Sequence, residues 1–221
     1  MKILALEFSS SQRSVAAFEA ARLDAPEQAA EVVETGGIST KPFAMIDEAL
    51  REAGWEREQL GCVAVGLGPG SYTGIRTAIA IAQGWQLATE VKLVGMSSID
   101  CIAAQAQSEG ITGQIVVAVD AQRHEFYAVS YELTRESWRA AEPVRLVTER
   151  AMHDRAKAAE ALVGPEVTKW FPGGRRIFPR AAMLARLASG ETTFVRGEAL
   201  EPIYLRATTF VKAPPPRRDN S

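Results

Sequence analysis

The chain has 221 residues, 47% of them apolar and 24% charged, the balance of a soluble globular protein that can bury one large core or two smaller ones. A net charge of −2 excludes a protein built as a whole to hold nucleic acid, since that task needs a basic face. The cluster Arg175, Arg176, Arg180 and Arg186 is the local exception, readable as a basic patch or as a solvated face with helix ends.

Two cysteines, Cys62 and Cys101, lie inside apolar stretches. They offer neither a disulfide framework nor a CxxC metal pair, and they suit a reducing compartment. The N-terminus lacks a signal-type apolar region, and no apolar run reaches bilayer length. A cytoplasmic, soluble protein is expected.

Residues 3–8 form an apolar run, followed by a polar turn and the run SVAAFEA, which predicts two paired strands. A third strand is expected at 31–35. In KPFAMIDEALREAGW, Phe43, Ile46, Leu50 and Ala53 fall on one helical face. Thr40 is the candidate N-cap of that helix and Gly54 lies just past its end. Residues 62–67 read as a buried strand, and GLGPGSYTGIRTAIAIAQG (66–84) as a turn that launches a helix to Thr89. A strand at 93–95 and an Ala-rich helix at 98–107 complete the first cycle.

A second cycle follows. The β-branched run 115–120 ends in Asp120, as the first run ends in Glu7. Strands are expected at 124–131 and 143–148, a helix at 149–160, short strands at 162–164 and 176–178, and a helix at 180–188. Element order therefore predicts an α/β protein of two similar units, residues 1–100 and a reduced 101–212. The tail at 213–221 has no apolar residues to pack and is expected to be disordered.

The glycine-rich loop invites a phosphate-cradle reading, and spacing argues against it. No lysine lies between Gly66 and Gly84, so a Walker loop is absent. Gly68, Gly70 and Thr73 spell GxGxxT rather than the dinucleotide fingerprint, and Pro69 and Thr73 flank Ser71 where a nucleophile elbow needs glycines. A tight turn remains, with Ser71 or Thr73 capping the helix. Arg76 stands in the first turn, at the positive end of the helix dipole, and calls for a carboxylate or an anion.

Behind the loop, Ala80, Gly84 and Ala88 form one small-residue stripe, and Gly74, Ala78 and Ala82 a neighbouring one. Ile75, Ile79 and Ile81 add apolar area, so the helix should be buried on most sides. On these residues alone, cover by its own domain and cover by a partner stand level.

The two histidines, His124 and His153, lie in different expected elements without metal-ligand spacing. No metal site is expected, and no nucleophile–histidine signature is present. Glu7 and Asp120 at strand ends read as turn-capping carboxylates or as acids beside a metal–nucleotide.

Several stretches, KILALEFSSSQRSVAAFE, VAVGLGPGSYTGIRTAIAIAQGWQLA, VGMSSIDCIAAQA, VAVDAQRHEFYAVSY and EPIYLRATTFVK, together resemble successive landmarks of the TsaB (YeaZ) family. The resemblance spans most of the chain and is weakest over 134–200. It implies a fold of two actin/Hsp70-like (ASKHA, RNase H-like) units with mixed sheets flanked by helices. It implies an accessory subunit in tRNA threonylcarbamoyladenosine formation, without catalytic residues or resident metal, paired with a TsaD-like catalytic subunit and a TsaE-like ATPase. ATP or ADP at the complex interface, indirect contact with tRNA and a homodimer in the partner's absence are further implications.

The partner interface implied on the two long helices comprises Phe43, Ile46, Leu50, Gly74, Ile75, Ala78, Ala80, Ile81, Gly84 and Ala88. Glu7, Gly70, Ser71, Arg76 and Asp120 are candidates for a nucleotide or anion contact. The chain departs from the family pattern at Glu7, where aspartate is usual, and at Gln122 and His124, where arginine and glycine are common. A TsaD-like HxxxH pair is absent from ISTKPFAMIDEAL.

Overall fold

The computed structural model describes residues 1–23, 25–36 and 39–205. The tail at 213–221 and the last part of EPIYLRATTFVK lie outside these. Strands β1 (Lys2–Glu7), β2 (Gln12–Glu19), β3 (Gln28–Thr35), β4 (Cys62–Gly66) and β5 (Lys92–Met96) form a mixed sheet in the order β3-β2-β1-β4-β5. The first three pair antiparallel through short turns. The last two join in parallel, because helical crossovers precede them.

The period of two decides what each face meets. Leu4, Leu6, Val15, Ala17, Val63 and Val65 point to one side, where α1 (Pro42–Ala53) and α2 (Tyr72–Thr89) pack. Ile3, Ala5, Ala16, Phe18, Cys62 and Ala64 point to the other, where α6 (Ala181–Ser189) packs. Both faces are apolar, so both need cover.

The second sheet contains β6 (Gly113–Asp120), β7 (Glu125–Leu133), β8 (Trp138–Ala140), β9 (Arg145–Thr148), β10 (Ala161–Gly164) and β11 (Arg175–Arg176). Its order is β11-β10-β6-β7-β8, with β9 also on β7. A central first strand again has antiparallel neighbours on one side and parallel strands on the other. One face meets α3 (Ser98–Ser108). The other meets α4 (Glu149–Ala158) and α5 (Val167–Trp170). Helices α3 and α6 share the middle of the molecule, since Cys101 and Ala104 of α3 join the cluster that holds Ala181–Ala188.

The end of the chain departs from the expected division. Residues 180–203 fall within the expected second unit, yet they return to the first sheet. Arg180 donates from Nε and Nη2 to Glu31 of β3 at 3.2 and 2.7 Å. The Ala181 amide donates to Ser14 Oγ of β2 at 2.8 Å, so the start of α6 is fixed by strand side chains. Val195 pairs with Leu93, and Leu200 enters the first core.

Smaller differences have local causes. Lys41, not Thr40, is the N-cap of α1, because the Thr40 hydroxyl accepts from Arg13 instead. Gly54 closes the helix at φ 69°, as its position implies. Strand β8 and helix α5 have three and four residues, too short to show a period.

Two glycines of α2 give opposite expectations. A Cβ on Gly74 would lie 2.0 Å from the Phe8 carbonyl oxygen, whereas one on Gly84 would meet nothing within 4 Å. Gly74→Ala should cost about 1–3 kcal/mol. Gly84→Ala should gain roughly 0.8–1.0 kcal/mol from helix propensity. Urea unfolding midpoints of the two variants check both signs.

Candidate functional site

The strand–turn–helix loop is built around a buried carboxylate. Glu7 at the end of β1 is fully buried. Its Oε1 accepts from the Ser9 amide at 2.8 Å, and its Oε2 accepts from the Ser98 hydroxyl at 2.8 Å. The Gly68 amide in turn donates to Ser98 Oγ at 3.1 Å. Gly66 leaves room for this side chain, since a Cβ there would lie 2.0 Å from Glu7 Oε2. The glutamate thus ties together β1, the loop and the start of α3. Burial pushes its pKa above the usual carboxylate range, against the opposing bonds from Ser9 and Ser98.

The rest of the loop is spent on structure too. Ser71 caps α2 by accepting from the Gly74 amide at 3.3 Å, and its own amide donates to Ser9 O at 2.6 Å. Gly70, at φ +154°, passes so close to Ser9 that a Cβ would sit 2.1 Å from its carbonyl oxygen. Of the candidates for an anion contact, Glu7 and Ser71 are therefore engaged within the chain, and Gly70 is packed against Ser9. Arg76 is exposed, lies 5.0 Å from the Tyr72 ring centroid and donates from Nη1 to the Tyr72 hydroxyl. No carboxylate among the described residues pairs with it. Tyr72 in turn stacks on Tyr204 at 5.4 Å.

The ten implied interface residues divide by exposure. Ile46, Leu50, Gly74, Ile75 and Ala78 are buried beneath their own sheet. Their placement on a docking surface is corrected: the sheet takes the apolar stripe of each helix that faces it. Phe43, Ala80, Gly84 and Ala88 are exposed, and Ile81 is half-buried. Leu87 joins them at 88% exposure. Ala80, Gly84 and Ala88 follow Arg76 at four-residue steps, so this outward stripe shares one face of α2.

In the second unit Asp120 serves its own turn. Its Oδ1 accepts from the Gln122 amide at 2.6 Å, and its Oδ2 from Trp170 Nε1 at 3.3 Å. Gln122, Arg123 and His124 all have positive φ, between 57 and 63°, a left-handed run that side chains resist. The two histidines, widely separated in sequence, converge on one carboxylate. His124 Nδ1 lies 2.7 Å from Glu149 Oε2, and His153 Nε2 lies 3.9 Å from Glu149 Oε1. No group of three or more metal-ligating side chains forms among the described residues. Arg180 and Arg186, half of the basic cluster, are paired with Glu31 and Glu27.

Sequence reasoning missed Ser98 as a partner of Glu7 and Arg13 as a buried cation. For Arg13 a signal was present: positions 13, 15 and 17 of β2 share the face that carries Val15 and Ala17 inward.

A family model described as TsaD: tRNA N6-adenosine threonylcarbamoyltransferase matches residues 39–207. The chain is 26% identical to tRNA threonylcarbamoyladenosine biosynthesis protein TsaB of Escherichia coli (strain K12), over 93% of this chain and 95% of that protein. Two structures from Pseudomonas aeruginosa share its fold, each with a TM-score of 0.77. One, described as an uncharacterized protein with similarity to peptidase YEAZ, is 26% identical and is matched over 93% of this chain and 99% of its own. The other, described as YeaZ, is 25% identical, with 92% and 99% covered.

The buried carboxylate sets a pH dependence. The folded pKa of Glu7 lies above its unfolded value, so its contribution to stability is full below the unfolded pKa and is lost as pH rises through the folded one. Between those two values the loss should approach about 1.4 kcal/mol per pH unit. Urea unfolding from acid to neutral pH should show this component in the native chain and lack it in Glu7→Gln. Equal pH slopes for the two proteins would exclude Glu7 as its source.

Proposed function

The chain belongs to the TsaD family as a TsaB (YeaZ) member, and from that premise we propose that it is a noncatalytic accessory subunit in tRNA N6-threonylcarbamoyladenosine formation. The observation that carries this reading is the outward stripe of α2. Ala80, Gly84 and Ala88 offer a shallow track, and Leu87 stands 88% exposed beside it. Small side chains let a second helix approach closely, and an apolar stripe gains by being covered. The occupant assigned to it is a TsaD-like catalytic subunit. In that partner's absence a second copy of this chain takes the same face, giving a homodimer.

The state of the loop supports an accessory role over an ATP-dependent transferase. Both oxygens of Glu7 are held by Ser9 and Ser98, leaving this acid no lone carboxylate for a metal–nucleotide. ISTKPFAMIDEAL carries no histidine, in contrast to the HxxxH pair of TsaD-like chains. A peptidase reading gains nothing from the histidines, which both face Glu149, nor from Cys62 and Cys101, which are buried. No resident cofactor is assigned to the chain alone. ATP or ADP is placed at the complex interface, with a TsaE-like ATPase as third component and tRNA contacted indirectly in the cytoplasm.

Ala80→Arg and Gly84→Leu test the face without threatening the fold, since both positions are exposed and Gly84 has open space beyond it. Each should abolish copurification with the TsaD-like subunit without lowering the unfolding midpoint. Retained copurification would remove the interface. Reconstituted tRNA modification by the TsaD-like and TsaE-like proteins should depend on this chain, and modification that proceeds equally without it would overturn the function.

A further inference from the structure

Among the described residues, Arg13 is a buried cation without a paired anion. It is 4% exposed, on the face of β2 that meets α1. Nη1 donates to Thr40 Oγ1 at 2.8 Å, and the guanidinium lies 5.5 Å from the Phe8 ring centroid. Nε is buried and has no hydrogen-bond partner. No carboxylate forms an ion pair with Arg13 among the described residues, and burial alone pushes its pKa down. A buried, unpaired donor on a charged group costs more than the bond it lacks, and such groups are rare without a purpose.

The unused edge has a specific shape. Nε and Nη2 form the side of a guanidinium that matches two oxygens of one oxyanion. Elsewhere in this chain that same edge is filled: Arg180 presents it to Glu31, and Arg186 to Glu27. Arg13 alone of these three offers it to nothing.

The surroundings add positive potential at the same point. Thr40 lies two residues before α1, a helix of 12 residues whose N-cap, Lys41, makes no side-chain cap bond. Pro42 has no amide hydrogen to give, and the first turn holds no acid. The positive end of the helix dipole and the Lys41 ammonium therefore add to the Arg13 charge. Glu34, paired with Arg13 across the strands, places its carboxylate on the Lys41 amide at 3.3 Å rather than on the guanidinium. Ser39 and Lys41, on either side of buried Thr40, are exposed.

We propose that the Nε/Nη2 edge of Arg13, at the start of α1, is a binding site for the oxyanion of a small molecule, a carboxylate or a phosphate. The oxyanion accepts from Nε and Nη2 together, and the uncapped first turn of α1 stabilises its charge. This site is separate from the outward stripe of α2 and does not depend on the partner assigned there.

The test uses the full chain and the arginine Nε–H resonances in its nitrogen–proton NMR spectrum. Inorganic phosphate and acetate are titrated separately at constant ionic strength, with chloride as the control anion. One Nε–H signal should shift saturably with phosphate, with acetate or with both, and the anion giving the tighter curve identifies the ligand class. Chloride should produce no saturable shift. Arg13→Lys keeps the charge and loses the two-pronged edge, so it should lack the shifting signal and bind about tenfold more weakly or worse in a thermal-shift titration. A native chain whose Nε–H signals stay fixed with both oxyanions overturns the site, whether or not the variant folds. Undiminished binding by Arg13→Lys overturns it equally.

Discussion

A sheet that is apolar on both faces cannot be finished by the helices on one side of it. In β1, β2 and β4, alternate residues point into two separate cores, and burying both is worth far more than any single contact in the molecule. Helices α1 and α2 close one side. The other side is closed by α6, a helix that comes from the far end of the chain, and α6 in turn leans on α3. The second sheet is thereby held against the first through two shared helices. Where α2 spends its inward residues, and which of its residues stay outside, follows from this same demand.

The two cycles of strands and helices were legible because period-two and period-3.6 patterns are local properties of the sequence. Strand boundaries around Ile3, Ile115 and Arg145 needed only neighbouring residues. The destination of α6 did not show, because Ala181, Leu184 and Ala188 carry a buried face with no mark of which sheet it meets. The same limit governed the long helices. Ile46, Leu50 and Ile75 looked no different from Ala80 until the sheet beneath them chose its side. Glu7 read as a strand-end acid, and its burial depends on Gly66 and on Ser98, residues that only the folded chain brings to it. Arg13 was readable in part, as a cation at an inward position, but not the absence of its partner.

The loop that resembles a phosphate cradle is a structural joint. Its glycines allow the turn to press against Ser9 and Phe8, and the amides of Gly68, Ser71 and Gly74 are taken by Ser98, Ser9 and Ser71. These bonds tie the turn to β1 and α3, and so fix where α2 begins.

The late arrival of α6 has a consequence for how the protein is made. Ser14 receives its hydrogen bond from Ala181, 167 residues further on. At ribosomal speeds of roughly 5–20 residues per second, the first-made sheet waits on the order of ten seconds or longer for its cover. Through that interval Ile3, Ala5, Phe18 and Cys62 present an oily surface to the translating cell. The half of the protein that is synthesised first is thus the half that is completed last. A nascent chain stalled between β5 and α6 leaves that face bare, even though every strand of its first sheet has been made.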